Sequence, residues 1–376
     1  MGIALPLLAA ALAGLTMGGA QAAPAQVSCG ARITADTTLH HDLVNCPNNG
    51  IIIGADDVTL DLNGHTIDGN GQRDTSCDPI KHFCDFGVAF ARHHGVIVKD
   101  GKIRDFEGGI LAYRSKRAHL LLLRTRRNHF SGIGIAGSRH ILVRSSSGNG
   151  ATAAEGEGIG MFDSHRIRVL DSTFKNNKHV GIKPVGCVHG LFNGNLMSGN
   201  GDEGLLMEGG EAFQIRGNRV IGNGGGIALG PGSDNVIAGN RVARGADGIR
   251  IEKGHANLVA HNLVRHTRRS GIRLGIKHPL IGGARNVVRG NRVSGIRGDG
   301  FLVGKKDRNS LLVANLANRA RQDGFDVDSR SATLTRNRAL GNGDLGIEAV
   351  RGVTDGGGNV ARHNGDPRQC TNVACR

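Results

Sequence analysis

The amino-acid sequence predicts an all-β chain wound as a single-stranded, right-handed parallel β-helix, a solenoid of about twelve or more rungs. Three observations predict it. A Gly-plus-apolar pair recurs at near-constant spacing, an asparagine marker keeps step with it, and the composition suits a narrow aliphatic core.

The pairs begin at Gly87-Val88 and Gly109-Ile110, continue through Gly204-Leu205, Gly226-Ile227 and Gly248-Ile249, and end at Gly346-Ile347. Most steps are 22 to 24 residues; the longer ones, 26 before Gly158 and 29 before Gly300, belong in loops. The second marker is Asn195, Asn218, Asn240, Asn262, Asn291, Asn315 and Asn337, usually about 14 residues after the glycine. Glycine permits a tight corner, and stacked asparagines can hydrogen-bond up a column at another corner. Within a rung such as Gly248-Ile249-Arg250-Ile251-Glu252, Ile249 and Ile251 point inward and Arg250 and Glu252 outward. No helical period accompanies the repeat, which argues against leucine-rich, ankyrin and tetratricopeptide arrays. With 61 Gly, no Trp, one Tyr and 3% aromatics in 376 residues, a wide interior would be hard to fill, whereas stacked Ile, Val and Leu layers need few large side chains. Twelve rungs give a rod on the order of 60 Å at one strand spacing each.

Residues 1–22 read as a secretory signal peptide, with an apolar run from Ala4 to Leu15 and an Ala20-Gln21-Ala22 cleavage pattern, although a positive leading segment is missing. That run is shorter than a bilayer crossing needs, so no membrane span is expected and the chain is assigned outside the cytoplasm, extracellular or periplasmic. Residues 23–49 are expected to cap one end, 50–350 to form the β-helix, and 351–376 to form a disulfide-bearing cap or tail, because open solenoid ends expose unpaired edges. Seven cysteines in an exported chain read first as disulfides, paired locally as Cys29 with Cys46, Cys77 with Cys84, and Cys370 with Cys375, leaving Cys187 single.

The formal charge of +15 points to anionic partners. Nucleic acid is not the expected one, since the basic residues are spread along the chain and one Tyr is the whole supply of Tyr and Trp for base stacking. A monomer is expected.

The stretches Cys29-Gly30-Ala31-Arg32-Ile33-Thr34 and Ile53-Gly54-Ala55-Asp56-Asp57-Val58-Thr59-Leu60-Asp61-Leu62-Asn63-Gly64-His65-Thr66-Ile67-Asp68-Gly69, with the repeats after them, resemble exported bacterial right-handed β-helix repeat proteins. That pectate-lyase-like superfamily is similar to pectate lyases, polygalacturonases, alginate lyases and mannuronan epimerases, and to periplasmic proteins that assist copper-site assembly. The resemblance covers about Cys29 to Cys375 and implies a fold, not a reaction. The polygalacturonase pattern is not present as a set: Asp202-Glu203 and Arg250-Ile251-Glu252-Lys253 only echo two of its parts. Where epimerases would carry Gly-Phe-Asp-Pro-His, the chain has Gly324-Phe325-Asp326-Val327-Asp328, without the histidine. Gly132-Ile133-Gly134-Ile135-Ala136-Gly137 matches a dinucleotide fingerprint by letter, but no helix pattern follows and its first glycine is a rung marker.

Stacking the rungs yields a candidate face. Two residues after each glycine the outward column reads Ala89, Leu111, Gly134, Gly160, Lys183, Leu206, Ala228, Arg250, Arg273, Leu302, Asp326 and Glu348, so charge enters only from the middle onward. Glu208, Glu252 and Asp328 stand two positions further along their rungs, and Lys253 one beyond Glu252. Arg250 under Arg273, and Asp326 under Glu348, place like charges one strand spacing apart, which something must offset. Solvent screening and neighbouring salt bridges are the ordinary answer. The functional answer is a bound uronate on Arg250 and Arg273, with Glu208 and Glu252 as further substrate contacts, and calcium on Asp326, Asp328 and Glu348. Lys183 and Lys253 are then the candidate bases for β-elimination, since neutralising a uronate carboxylate acidifies its C5 proton. The expected function is therefore a carbohydrate-active protein, a lyase on acidic uronate-containing polysaccharide, with a non-catalytic glycan-binding or cell-surface structural protein as the alternative.

Overall fold

The computed structural model describes residues 26–72, 85–275 and 282–376. Segment 1–22 and the pair Cys77 with Cys84 lie outside these residues. The described chain contains no helix and winds into a parallel β-solenoid of about 14 turns. Fifteen parallel strands, from Ala31–Ile33 to Cys370–Thr371, stack into one sheet, and two further strands per typical turn form the remaining walls.

Register follows the glycine spacing. Ile110 lies beside Ile133, Ile133 beside Ile159, Ile159 beside Ile182 and Ile182 beside Leu205. The same column continues from Ile227 and Ile249 to Phe301, Phe325 and Ile347. These side chains are buried, and full burial of each removes apolar surface worth roughly 1.5–3 kcal/mol. Phe301 and Phe325 stack with ring centroids 4.6 Å apart. The glycine ahead of each pair is required by crowding: a Cβ on Gly226 would collide with the Gly248 carbonyl oxygen, and one on Gly248 with that of Gly271.

The asparagine column is a continuous ladder. The backbone N–H and side-chain NH2 of Asn218 both donate to Asn240 Oδ1 at 2.9 Å, and that NH2 also donates to the Phe192 carbonyl. Asn240 repeats the pattern on Asn262, and the ladder runs on to Asn359. Toward the amino end the same corner is held by serine. Ser172 N–H donates to Asn195 Oδ1, Ser146 N–H to Ser172 Oγ, and Leu123 N–H to Ser146 Oγ at 3.1 Å.

The coil extends past both expected cap boundaries. Ala31–Ile33 pairs in register with Ile51–Ile53, and Ile347–Ala349 with Cys370–Thr371. Cys29 is bonded to Cys46 and Cys370 to Cys375, while Cys187 is buried as a free thiol whose titration burial pushes up to about 11.

Candidate functional site: a charged groove on the long sheet

The outward column of the fifteen-stranded sheet is in the order that the glycine spacing predicts. Ala228 lies beside Arg250, Arg250 beside Arg273, Arg273 beside Leu302, and Asp326 beside Glu348. Strands Ile249–Ile251 and Ile272–Leu274 bury isoleucine and leucine inward, and strict alternation turns Arg250 and Arg273 out onto the face.

The charges on that face are paired. Arg250 Nη2 donates to Glu203 Oε1 at 2.8 Å, and its Nε lies 3.2 Å from Glu252 Oε1. Arg273 Nη2 lies 3.5 Å from Asp247 Oδ2 and 3.6 Å from the same Glu252 oxygen. Glu252 thus bridges the two stacked arginines and offsets their repulsion. Arg250 reaches Glu203 two turns away because the turn between them presents only Gly225 and Ala228, leaving room for the guanidinium to lie flat.

Burial sets the electrostatics. Desolvation raises the Glu203 carboxyl to about 7, with Asp202 adding to the rise and Arg250 opposing it. Burial likewise works against the charge of Arg273, and Asp247 counters it. A carboxyl titrating near neutrality beside a guanidinium is suited to taking up and releasing a proton at physiological pH.

A cavity of about 430 Å³ is lined by Asp202, Glu203, Leu206, Glu208, Arg250, Glu252 and Lys253 among others. It brings together four of the residues singled out from sequence: Glu208, Arg250, Glu252 and Lys253. Lys253 is exposed and forms no ion pair with a described residue. Lys183 is elsewhere. It is half-buried below the groove with Nζ 3.1 Å from Glu157 Oε1, and burial raises that carboxyl to about 7 against the pull of Lys183. Arg273 borders the groove through Glu252 rather than lining it.

Asp326 and Asp328 lie three turns past Arg250, and Glu348 four. Asp326 is buried, Asp328 half-buried and Glu348 exposed, and among the described residues no group of three or more His, Cys, Asp or Glu is arranged to hold a metal ion. Carboxylate oxygens are donors that calcium takes, but these three residues form no such group, and no step below passes through a metal. Gly132–Gly137 lies in and just after the strand Ser131–Ala136, so the dinucleotide pattern has no helix to serve.

Glu157 and Asp247 are not singled out from the sequence, and Glu203 appears there only as part of an incomplete polygalacturonase pattern, not on this face. All three stand one position before a rung glycine, and that position forms its own outward column, in which Ser131 lies beside Glu157 and Glu203 beside Gly225. The signal was present in Glu157-Gly158, Glu203-Gly204 and Asp247-Gly248.

Fold and face define a β-solenoid carrying a charged groove on its fifteen-stranded sheet. The chain belongs to the right handed beta helix region family, whose pattern matches residues 25–187 and 157–281. Residues 243–359 also match the periplasmic copper-binding protein (NosD) family. No curated protein matches the sequence closely enough to count as a relative.

Among solved structures, a double mutant of the periplasmic alginate epimerase AlgG aligns over 89% of this chain and 77% of its own, at 13% identity and TM-score 0.51. The A-module of an Azotobacter vinelandii mannuronan C-5 epimerase aligns over 93% and 89%, at 13% identity and TM-score 0.43. An Arthrobacter chlorophenolicus DFA-IIIase without its lid, in complex with GF2, aligns over 83% and 84%, at 13% identity and TM-score 0.46. At such identities only the first likeness carries weight, and it establishes the shared fold alone.

Proposed function

We propose that the groove binds an acidic, uronate-containing polysaccharide outside the cytoplasm and cleaves it by β-elimination. The observation that carries this reading is Glu203: a buried carboxyl raised to about 7, held against Arg250 in a groove whose rim carries Lys253, which pairs with no described residue. A substrate carboxylate replaces Glu252 on Arg250 and Arg273, and its negative charge is neutralised by the two guanidiniums. Glu203 then accepts the C5 proton, the C5 electron pair forms the C4–C5 double bond, and the C4–O4 bond breaks. Lys253 gives a proton to the departing oxygen.

This assigns Lys253 to the leaving group instead of the C5 proton, because Glu203 is the group tuned by burial to accept one. Lys183, tied to Glu157, supports the face without touching substrate. Glu208 and Asp202 line the walls. The extracytoplasmic setting rests on the leader-like residues 1–22, and calcium has no place in the scheme.

The test is to incubate the purified chain with pectate, polymannuronate and glycosaminoglycans, with calcium or with chelator, and follow the absorbance of unsaturated uronate. Product formation that is insensitive to chelator supports the reading. Binding without product assigns the groove to a non-catalytic glycan-binding protein, and neither binding nor product removes the carbohydrate reading.

A further inference from the structure

A second surface, away from the charged groove, carries a different pattern. The turn after each early strand of the long sheet places residues in register up one corner. His94 bridges to Lys116, Lys116 to Arg139, Arg139 to His165 and His165 to Val188. One residue later the backbone N–H of Arg117 donates to the Arg139 carbonyl, His140 to His165, and Arg166 to Val188, so Arg117, His140, Arg166 and His189 form the next column. His119, Leu142, Arg168 and Leu191 pair in register two residues further on.

Between these columns runs a cavity of about 730 Å³ that crosses six turns, from Gly95 to Gln214. Its floor is aliphatic, with Ile97, Ile141, Leu142 and Leu191, and its basic rims are Arg117, His119, His140, Arg166, Arg168 and His189. Among the described residues, no acidic one lines it. These six basic side chains are exposed, and none forms an ion pair with a described residue, in contrast to Arg250 and Arg273. A smaller basic cavity lined by Arg92, Arg114, Lys116 and Arg139 adjoins it through Arg117 and His140. The ladder ends abruptly: after His189 the column continues with Ala212 and Asp234.

Arg117, Arg166 and Arg168 bring positive charge to this corner with no described carboxylate paired to them, and His119, His140 and His189 stand among them as further hydrogen-bond donors, a setting that an anion lying across the turns would satisfy. We propose that this corner is a binding groove for a linear anionic polysaccharide that carries one acidic group per sugar and lies along the solenoid axis. The match is geometric and electrostatic. The basic side chains stand on four consecutive turns, three steps of about 4.8 Å, or roughly 14 Å of charged track within the longer cavity. An extended pyranose chain advances by about one such step per sugar, so each acidic group meets a new rung. The aliphatic floor receives the C–H faces of the sugar rings, which need no aromatic platform. Duplex nucleic acid fits less well: each strand presents a phosphate about every 3.4 Å, out of step with the rungs, and its deep grooves are read by protruding elements that a concave track lacks. Single strands are bound by base stacking, and the cavity has no aromatic ring other than histidine. The inference does not depend on the charged groove being catalytic, since the two surfaces share no lining residue.

The experiment measures binding of a purified oligomannuronate to the full chain by calorimetry, for the native protein and for the triple variant Arg117→Gln, Arg166→Gln and Arg168→Gln. Circular dichroism checks that the variant is folded, and the double variant Arg166→Gln and Arg168→Gln stands in if it is not. The expected result is a loss of affinity of tenfold or more, with a shallower salt dependence, while Arg362→Gln, an exposed position that lines neither cavity, binds the oligomer as the native protein does. Unchanged affinity in the folded variant overturns the proposal. Tighter binding of single-stranded DNA than of the oligomannuronate, lost in the same variant, overturns it in favour of a nucleic-acid surface.

Discussion

In the amino half of the coil the outward column of the long sheet reads Ala89, Leu111, Gly134 and Gly160, and cations gather instead at the neighbouring corner around Arg117, His140 and Arg166. In the middle turns that corner passes through Ala212, Asp234 and Ala256 before Arg285 and Arg308 return to it, while the sheet face gains Arg250, Arg273, Asp326 and Glu348. The internal columns change over in the same region: serine holds the ladder at Ser146 and Ser172, asparagine from Asn195 on. One backbone repeat thus carries two unlike halves. The winding is set by the inward residues and glycines, while outward positions are free to place charge on either wall.

The largest expected effect tests the sheet face. Glu203→Gln keeps the shape of the side chain and removes its titration, so turnover on a uronan substrate should fall by about 10²-fold or more while substrate still binds. Initial rates and separately measured affinity check this, and an unaffected rate would return the C5 proton to Lys253.

Next come the two kinds of ladder. Asn240→Ala removes the acceptor of both Asn218 donors and orphans the Ile215 carbonyl and an Asn262 lone pair, all buried. The cost should be about 3 kcal/mol, at 1–3 kcal/mol per orphaned group with partial relaxation, measured by denaturant unfolding. Ser146→Ala orphans chiefly the Leu123 N–H and should cost about 1 kcal/mol, so equal losses at the two sites would dissolve the contrast between the halves.

The smallest effect is on pH dependence. Glu157 titrates near 7 in the fold and near 4.5 as a free glutamate, so the folded state holds the proton more tightly. Its contribution is fully present below about pH 4.5 and is lost as pH rises through about 7. Glu157→Gln should therefore flatten the fall in melting temperature between those limits, and an unchanged profile would mean that Lys183 keeps the carboxylate ionised throughout.

The winding was legible in the sequence because it depends on one-residue features that repeat, such as Gly226 before Ile227 and Gly248 before Ile249. The ladder was legible only where asparagine builds it; Ser146 and Ser172 occupy the same corner with a shorter side chain and no repeated letter to reveal them. Stacking outward positions past each glycine found Arg250, Arg273 and their shared partner Glu252 but not Glu203 and Asp247, which stand on the other side of the glycine. The reach of Arg250 across a whole turn depends on Gly225 and Ala228 being small, a three-dimensional condition that no linear spacing displays. The cationic corner escaped for a similar reason: its members come from a position just past the first strand of each turn, and only coordinates show that no carboxylate faces them.

The glycine column has an evolutionary corollary. A single methyl group at Gly226 or Gly248 meets main chain, which cannot swing aside as a side chain would, so drift at these sites is closed. Copying or deleting an entire winding breaks no such constraint, since each new neighbour presents the same surface as the old one. A lineage built this way should diversify by changing its number of windings and its outer decoration, and should leave the hydrogen atom at that one backbone position untouched.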